Sequence, residues 1–127
     1  MTTDYSQQAF EVPGQKVSFI AVTDCSDYGY HFVKQSGEVG MIPISSDSDI
    51  PLGVLQDEPT INRAGCVMLS GISMVIAGSA TAIGPLKIDG TGQVLTGTHG
   101  VDHIVGKGLN AAVSEGDIIA VLINPGL

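Results

Sequence analysis

Residues 64–86 form the stretch that most restricts the fold, because none of them carries a charged side chain. An uncharged run of that length is long enough to cross a membrane as a helix. However, four glycines interrupt it every six or seven residues, Pro85 follows the last of them, and many of the other residues are β-branched. These residue types disfavour a continuous helix and suit short strands. We therefore predict one or two buried strands here and no membrane-spanning segment.

The same combination of residues extends along the whole chain. Valine and isoleucine together number 26, against 12 for leucine and methionine, and 17 glycines and six prolines divide the apolar segments. We predict a single all-β domain, a small barrel or sandwich, with one short helical turn at 109–113. The predicted strands cover residues 16–22, 30–34, 39–44, 52–55, 66–77, 85–88, 93–96, 101–105 and 118–123. Segment 66–77 is either a pair of strands or one strand bent at Gly71.

Two segments of the chain resemble each other. Residues 50–71 and residues 104–123 each contain a short apolar strand with a glycine at its end, a polar connection, a second glycine and a long apolar strand. The second glycines in this alignment are Gly65 and Gly116. Pseudo-symmetric β units often arise by duplication, and chance similarity between two generic strand pairs is the alternative.

The balance of charge restricts the partners of the chain. Acidic residues outnumber basic ones by 13 to five, which gives a formal net charge of −8. Such a chain repels nucleic-acid phosphates and anionic lipids, so we expect no nucleic-acid or membrane partner. Only 14% of the residues are charged. Apolar surface without charges is commonly buried against another subunit, so we expect a homo-oligomer, with a trimer preferred to a dimer.

The first 15 residues differ from the rest in being polar and aperiodic. They contain no apolar segment of the kind found in signal peptides. We predict an extended N-terminal arm over residues 1–15 and a β-rich domain over residues 16–127. Among the few apolar residues of the arm, Tyr5, Phe10 and Val12 are our candidates for contact with a partner.

Two patterns in the second half of the sequence could carry chemistry, and each has a simpler structural explanation. Residues 106–111 match the glycine-rich loop GxGxxA, but the chain leaves little room for the βαβ unit that a dinucleotide-binding loop requires. His99, Asp102 and His103 could approach a metal ion. However, alternation along the predicted strand 101–105 would point Asp102 and His103 to opposite faces, so we predict no tight metal site.

Two loops contain acidic residues that could bind calcium together, namely Asp47, Asp49, Asp57 and Glu58. They lack the spacing of a calcium-binding loop, and a solvated acidic rim is the simpler explanation. Cys25 and Cys66 have neither metal-binding nor catalytic spacing, which favours two buried thiols in a reducing compartment. We therefore predict no catalytic residues, no cofactor-binding residues, no metal site and no enzymatic activity.

Several short motifs occur in an order that resembles the small capsid decoration, or cement, proteins of tailed bacteriophages. The motifs are Pro51-Leu52-Gly53-Val54, a strand reaching Gly71, residues 82–86 leading into the turn at 89–92, residues 104–108, and residues 115–117 before the last strand. The resemblance covers residues 50–126.

This resemblance implies a non-enzymatic virion protein with a tulip-like β fold, made in the host cytoplasm and located on the capsid surface. Such a protein binds the outer surface of the assembled major capsid protein, commonly as a trimer, and stabilises the shell by bridging neighbouring capsomers without a cofactor. The arm could add a strand to an exposed edge on that lattice. The alternative is a small oligomeric β-barrel that binds a ligand, or an enzyme, with its site at the subunit boundary.

Overall fold

The computed structural model describes residues 12–124, and within that range it contains eleven β-strands and no helix. The strands are Val12–Pro13 (β1), Lys16–Ala21 (β2), Phe32–Ser36 (β3), Gly40–Pro43 (β4), Gly53–Leu55 (β5), Ala64–Met68 (β6), Gly71–Ile76 (β7), Gly84–Ile88 (β8), Val94–Thr96 (β9), Gly106–Gly108 (β10) and Ile118–Ile123 (β11). No helix in residues 12–124 is long and apolar enough to span a membrane. The predicted all-β fold is confirmed.

The strands form a closed barrel and a larger open sheet. The barrel has the order β2-β4-β3-β5-β6, and its neighbours are antiparallel except for the parallel pair β2 and β4. The second sheet is antiparallel and has the order β1-β7-β11-β10-β8-β9. A single parallel bridge between Ala77 and Val94 brings the end of β7 to β9. Strands β7–β11 therefore form a half-barrel.

The barrel and the half-barrel have the same topology. We call β2–β6 the first unit and β7–β11 the second unit. In each unit the first strand pairs with the fifth, the fifth with the fourth, the fourth with the second, and the second with the third. The first and third strands also meet in parallel in both, as Ala21 with Met41 and as Ala77 with Val94. The fold is therefore an internal duplication of a five-stranded unit.

The turns of the two units also correspond, with a correction to the alignment made from the sequence. That alignment placed Gly65 opposite Gly116, whereas the structure places Asn62 there. Asn62 and Gly116 both have positive φ, 67° and 89°. The N–H of Asn62 donates to the carbonyl of Ala21 over 2.7 Å, and that of Gly116 donates to the carbonyl of Ala77 over 2.8 Å. Asparagine can take this role because it tolerates the left-handed conformation better than most side chains.

Most of the predicted strands coincide with observed strands to within two residues at either end. Segment 66–77 is a pair of strands, since β6 ends in the barrel and β7 begins in the other sheet at Gly71, with φ of 102°. The uncharged residues 64–86 therefore include β6, β7 and the start of β8, in agreement with the strands predicted at 66–77 and 85–88.

The predicted strand at residues 101–105 is wrong. The N–H groups of Val101 and Asp102 both donate to the carbonyl of Thr98, over 3.2 and 2.9 Å, and so form a turn. The Asp102 carboxylate in return accepts a hydrogen bond of 2.9 Å from the N–H of Thr98. Local hydrogen bonding to an aspartate competes here with strand pairing.

The predicted helical turn at residues 109–113 is also wrong. Ala112 forms an isolated antiparallel bridge with Thr81. The side-chain oxygen of Asn110 accepts a hydrogen bond of 2.9 Å from the N–H of Ala120 in β11. These long-range contacts hold the segment extended against the sheet.

The buried core has two parts. One fills the barrel and consists of Phe19, Ala21, Cys25, Val33, Met41, Leu55 and Val67. The other lies between the units, where the inward-facing residues of the second unit pack with Phe32, Ile44, Val54 and Met68. Because successive residues of a strand point to opposite faces, Phe32, Val54 and Met68 lie on the outer side of the barrel.

Backbone groups of the first unit also form hydrogen bonds with the second unit at the opening of the half-barrel. The N–H of Phe32 donates to the carbonyl of Gly92 over 2.8 Å, and the N–H of Ile76 donates to the carbonyl of Tyr30 over 3.1 Å. Residues 30–32 therefore connect β7 with the turn between β8 and β9. The two units are therefore joined by backbone hydrogen bonds as well as by a shared core.

Candidate interaction surface

Two of the three predicted partner contacts, Tyr5 and Phe10, lie outside the residues that the structure describes. Val12 lies in β1, where its backbone pairs with Ile72 of β7 at the edge of the open sheet. The role of these residues in contacting a partner stays a prediction, and so does the boundary between arm and domain at residue 15.

The end of the predicted arm is attached to the second unit. Pro13 pairs with Gly71. The N–H of Gln15 donates to the hydroxyl of Ser70 over 3.0 Å, and the N–H of Leu69 donates to the carbonyl of Gln15 over 2.7 Å. A segment that precedes Val12 therefore starts at this edge of the sheet.

The candidate metal ligands His99, Asp102 and His103 lie in and after the turn that follows β9. Asp102 is engaged with the N–H of Thr98 and with Lys87, whose Nζ lies 3.5 Å from its carboxylate. Within residues 12–124 no group of three or more His, Cys, Asp and Glu residues is arranged to hold a metal ion. Since the chain turns at residues 98–102 and residues 103–105 are not part of a strand, the strand alternation that we invoked does not apply. The absence of a tight metal site stays a prediction.

Two of the four acidic residues proposed for calcium have structural roles instead. Asp49 accepts hydrogen bonds from Lys34 Nζ over 2.8 Å and from the N–H groups of Ser45 and Ser46 over 2.9 and 3.1 Å. These donors, Lys34 above all, lower the pKa of Asp49 from 3.8 to about 2. Asp57 accepts a hydrogen bond of 3.1 Å from a backbone N–H of β6.

Replacing Asp49 by asparagine is expected to lower the free energy of unfolding at neutral pH by about 1–2 kcal/mol, because a charged acceptor of three donors is lost. The folded-state pKa is below the ordinary value, so this contribution is complete above about pH 4 and disappears as the pH falls toward 2. Urea unfolding of wild type and variant at several pH values measures this.

The duplication supplies the control for that measurement. Lys87 and Asp102 occupy the positions of Lys34 and Asp49 in the second unit, but their charged groups are 3.5 Å apart and more exposed. Asp102→Asn is therefore expected to cost less stability than Asp49→Asn. If wild type and Asp49→Asn lost the same stability between pH 5 and pH 2, the assignment to Asp49 would be wrong.

Residues 106–108, which match part of a phosphate loop, form β10 in the middle of the open sheet. A Cβ at Gly106 would lie 2.5 Å from the carbonyl oxygen of Leu122 in the neighbouring strand. The segment that follows is extended. Gly106 serves close strand packing, and residues 106–108 do not form a phosphate loop.

Both cysteines are free, and only one of them is fully buried. Cys25 lies in the barrel core, where burial and then the neighbouring Asp24 raise the pKa of its thiol. Cys66 is half-buried, so the expectation of two buried thiols holds for Cys25 alone.

The outer side of the second unit is an exposed apolar sheet face. It faces away from the core because the alternate residues of β11, Ile119, Val121 and Ile123, are buried. We call it the open face, and it consists of Ile72, Met74, Pro85, Lys107, Ile118 and Leu122. Ile118 and Leu122 are 47% and 45% exposed. Apolar residues this exposed in the centre of a sheet mark a surface for binding.

A cavity of about 320 Å³ lies on this face. Its lining residues are Gly84, Pro85, His99, Ile104, Gly106, Lys107, Leu122 and Asn124. Its floor is apolar, and Lys107, His99 and Asn124 provide polar atoms. The cavity adds concave shape to the open face.

The duplication shows what the open face corresponds to in the first unit. The row Phe32, Val54, Met68 crosses β3, β5 and β6, and these residues are completely buried against the second unit. The matching row across β8, β10 and β11 is Pro85, Lys107, Leu122. The same surface is thus covered in the first unit and exposed in the second.

Sequence reasoning missed the open face, although a signal for it exists. From β3 to β5, four residues of the first unit recur in the second at one constant separation, and these pairs are Lys34 and Lys87, Gly37 and Gly90, Asp49 and Asp102, Gly53 and Gly106. Alignment on these pairs places the apolar Phe32 and Val54 opposite Pro85 and Lys107. The segments aligned from the sequence, residues 50–71 and 104–123, do not include Lys34 and Lys87.

The chain matches no protein-family model and no curated protein. Among solved structures it is similar to the N base of the head fiber gp8.5 of bacteriophage phi29, with a TM-score of 0.66. The match covers 88% of this chain and 95% of that chain, at 17% sequence identity. The two chains share a fold. The similar structure is a phage head protein, which is the class of protein that the motifs between residues 50 and 126 resembled.

Proposed function

We propose that this chain is a structural protein of a phage virion, which binds the outer surface of the assembled capsid and stabilises it by bridging neighbouring capsomers. The fold shared with the N base of a phage head fiber, over 88% of the chain, is the observation that carries the proposal. The order of motifs that resembles capsid decoration proteins supports the same class of function.

The architecture suits a protein that acts by binding alone. A shell filled with DNA is under outward pressure, and a rigid clip across neighbouring capsomers resists that pressure by adding interface. The two units share a core and form such a rigid body. An arm that leaves from β1 at one edge could pair with an exposed strand of the capsid protein.

In this proposal the partners are the major capsid protein and other copies of the chain, as a homotrimer in preference to a dimer. The protein is not an enzyme and uses no cofactor. The open face supports self-association, since the described part of one copy leaves its apolar surface exposed.

A ligand-binding barrel is the second candidate, and the cavity on the open face is the observation that favours it. Binding sites commonly combine an apolar floor with a few polar groups, as this cavity does. Asp49 and Cys25, whose pKa values are shifted by their surroundings, are not among the residues that line the cavity.

Removing residues 1–11 is expected to leave the domain folded and to weaken its binding to expanded capsids on the order of 100-fold, because several arms of one oligomer bind together. The truncation stops before Val12, since β1 pairs with β7. Co-sedimentation with heads assembled without the protein measures the occupancy of the full-length and truncated forms.

Tyr5→Ala with Phe10→Ala in the full-length chain is the matched control, because it keeps the backbone of the arm. We expect most of the loss to recur, since each ring buries apolar surface worth roughly 1.5–3 kcal/mol. Equal occupancy by the truncated and full-length proteins would show that the arm does not anchor the protein.

A further inference from the structure

The row of residues that the first unit buries is exposed in the second. Phe32, Val54 and Met68 have no exposed surface, because the half-barrel covers them. Leu122, the counterpart of Met68, is 45% exposed, and Lys107, the counterpart of Val54, is also exposed. Within residues 12–124, the chain therefore covers this surface in the first unit and leaves the equivalent surface of the second unit exposed.

The charges of the open face differ from those of the rest of the protein. Lys107 lies on the face, and Lys87 lies on the same side of β8. They are two of only five Lys and Arg residues in a chain of net charge −8. The acid beside them, Asp102, is engaged with Lys87.

The first unit presents the complementary charge at one end of its barrel. Asp24 and Asp27 lie in the connection after β2, and Glu58 lies in the connection after β5; all three are exposed. The N–H of Cys25 donates to the carbonyl of Pro59 over 3.0 Å, which holds the two connections together. Every copy of the chain therefore carries both a cationic apolar face and an acidic surface on the other unit.

We propose that the open face is the surface through which the chain binds a second copy of itself, with the acidic end of the first unit of one copy against the lysines of the open face of the next. Two different surfaces meet in such a contact, so it does not end at a two-fold dimer; it builds a closed ring, or an open filament where the rotation does not close. The inference names the surface for the self-association in the proposed function. It can be tested without capsids.

Sedimentation equilibrium of the isolated full-length protein at micromolar concentration tests the inference. Leu122→Asp and Lys107→Glu are each expected to weaken self-association about tenfold or more, which is the effect of losing a central contact. Val39→Asp and Lys107→Arg are the controls, because Val39 is 66% exposed in the first unit and arginine keeps the charge. Both controls are expected to associate like wild type, and added salt is expected to weaken association by screening.

Thermal unfolding identifies any variant that fails to fold, and Lys107→Glu, at an exposed position, decides the test if Leu122→Asp unfolds. If the wild-type protein is a monomer at micromolar concentration, the inference is overturned, and the capsid protein becomes the partner to test for the open face. An oligomer that Leu122→Asp and Lys107→Glu leave intact would overturn it as well. If a variant still associates with itself but no longer binds capsids, the result bears on the proposed capsid binding and leaves the surface for self-association unaffected.

Discussion

Replacing Phe32 by alanine is expected to lower the free energy of unfolding by about 3–5 kcal/mol. The ring is completely buried and lies on the outer side of the barrel, where it packs with the core of the second unit. Its loss opens a cavity between the units that rigid strands cannot fill by shifting. Since small domains have only about 5–15 kcal/mol of stability, the variant would lose a large part of it.

Urea unfolding followed by circular dichroism measures this loss. We expect a single transition in wild type and variant, because the units share one core and the backbone bonds of residues 30–32. Val39→Ala, at an exposed position, is the control and is expected to change stability by less than about 0.5 kcal/mol. Two separate transitions in wild type would contradict a shared core.

Gly92→Ala is expected to be nearly as damaging, at about 3 kcal/mol, for two reasons that add. Gly92 has φ of 90°, which costs a residue with a side chain about 1–2 kcal/mol. Its added methyl group would also collide with the carbonyl oxygen of Phe32. This is where the units are joined by the hydrogen bond from the N–H of Phe32 to the carbonyl of Gly92. Overpacking of this kind typically costs a further 1–3 kcal/mol.

Gly116→Ala separates the two contributions. Gly116 has nearly the same φ, 89°, but a methyl group there meets no neighbouring atom within 4 Å. It should therefore lose only the conformational part, about 1–2 kcal/mol. Equal losses of stability in the two variants would show that the units do not approach each other closely at Gly92.

The strands could be predicted from the sequence where an apolar run ends at glycine or proline. Residues 118–123 are the clearest case, since the predicted and observed strands coincide. The prediction failed at residues 101–105, although they contain two valines and an isoleucine. There a local contact decides the structure, because the Asp102 carboxylate accepts the N–H of Thr98 and bends the chain into a turn.

The candidate surface was harder to predict, because exposure depends on how the units pack. Met68 and Leu122 look alike in the sequence and occupy equivalent positions, yet one is buried and the other is 45% exposed. The difference arises only because residues 30–32 occupy the opening of the half-barrel, a contact between distant parts of the chain. The pairing of Val12 and Pro13 with β7 was not predicted from the sequence.

Cryo-electron microscopy of phage heads assembled with and without this protein tests the proposed function most directly. If the protein bridges capsomers, heads that contain it should show additional density on the outer surface, at the boundaries between neighbouring capsomers. Adding the purified protein to heads that lack it should restore that density at the same positions. Identical outer surfaces in the two kinds of head, with the added protein left in solution, would contradict it.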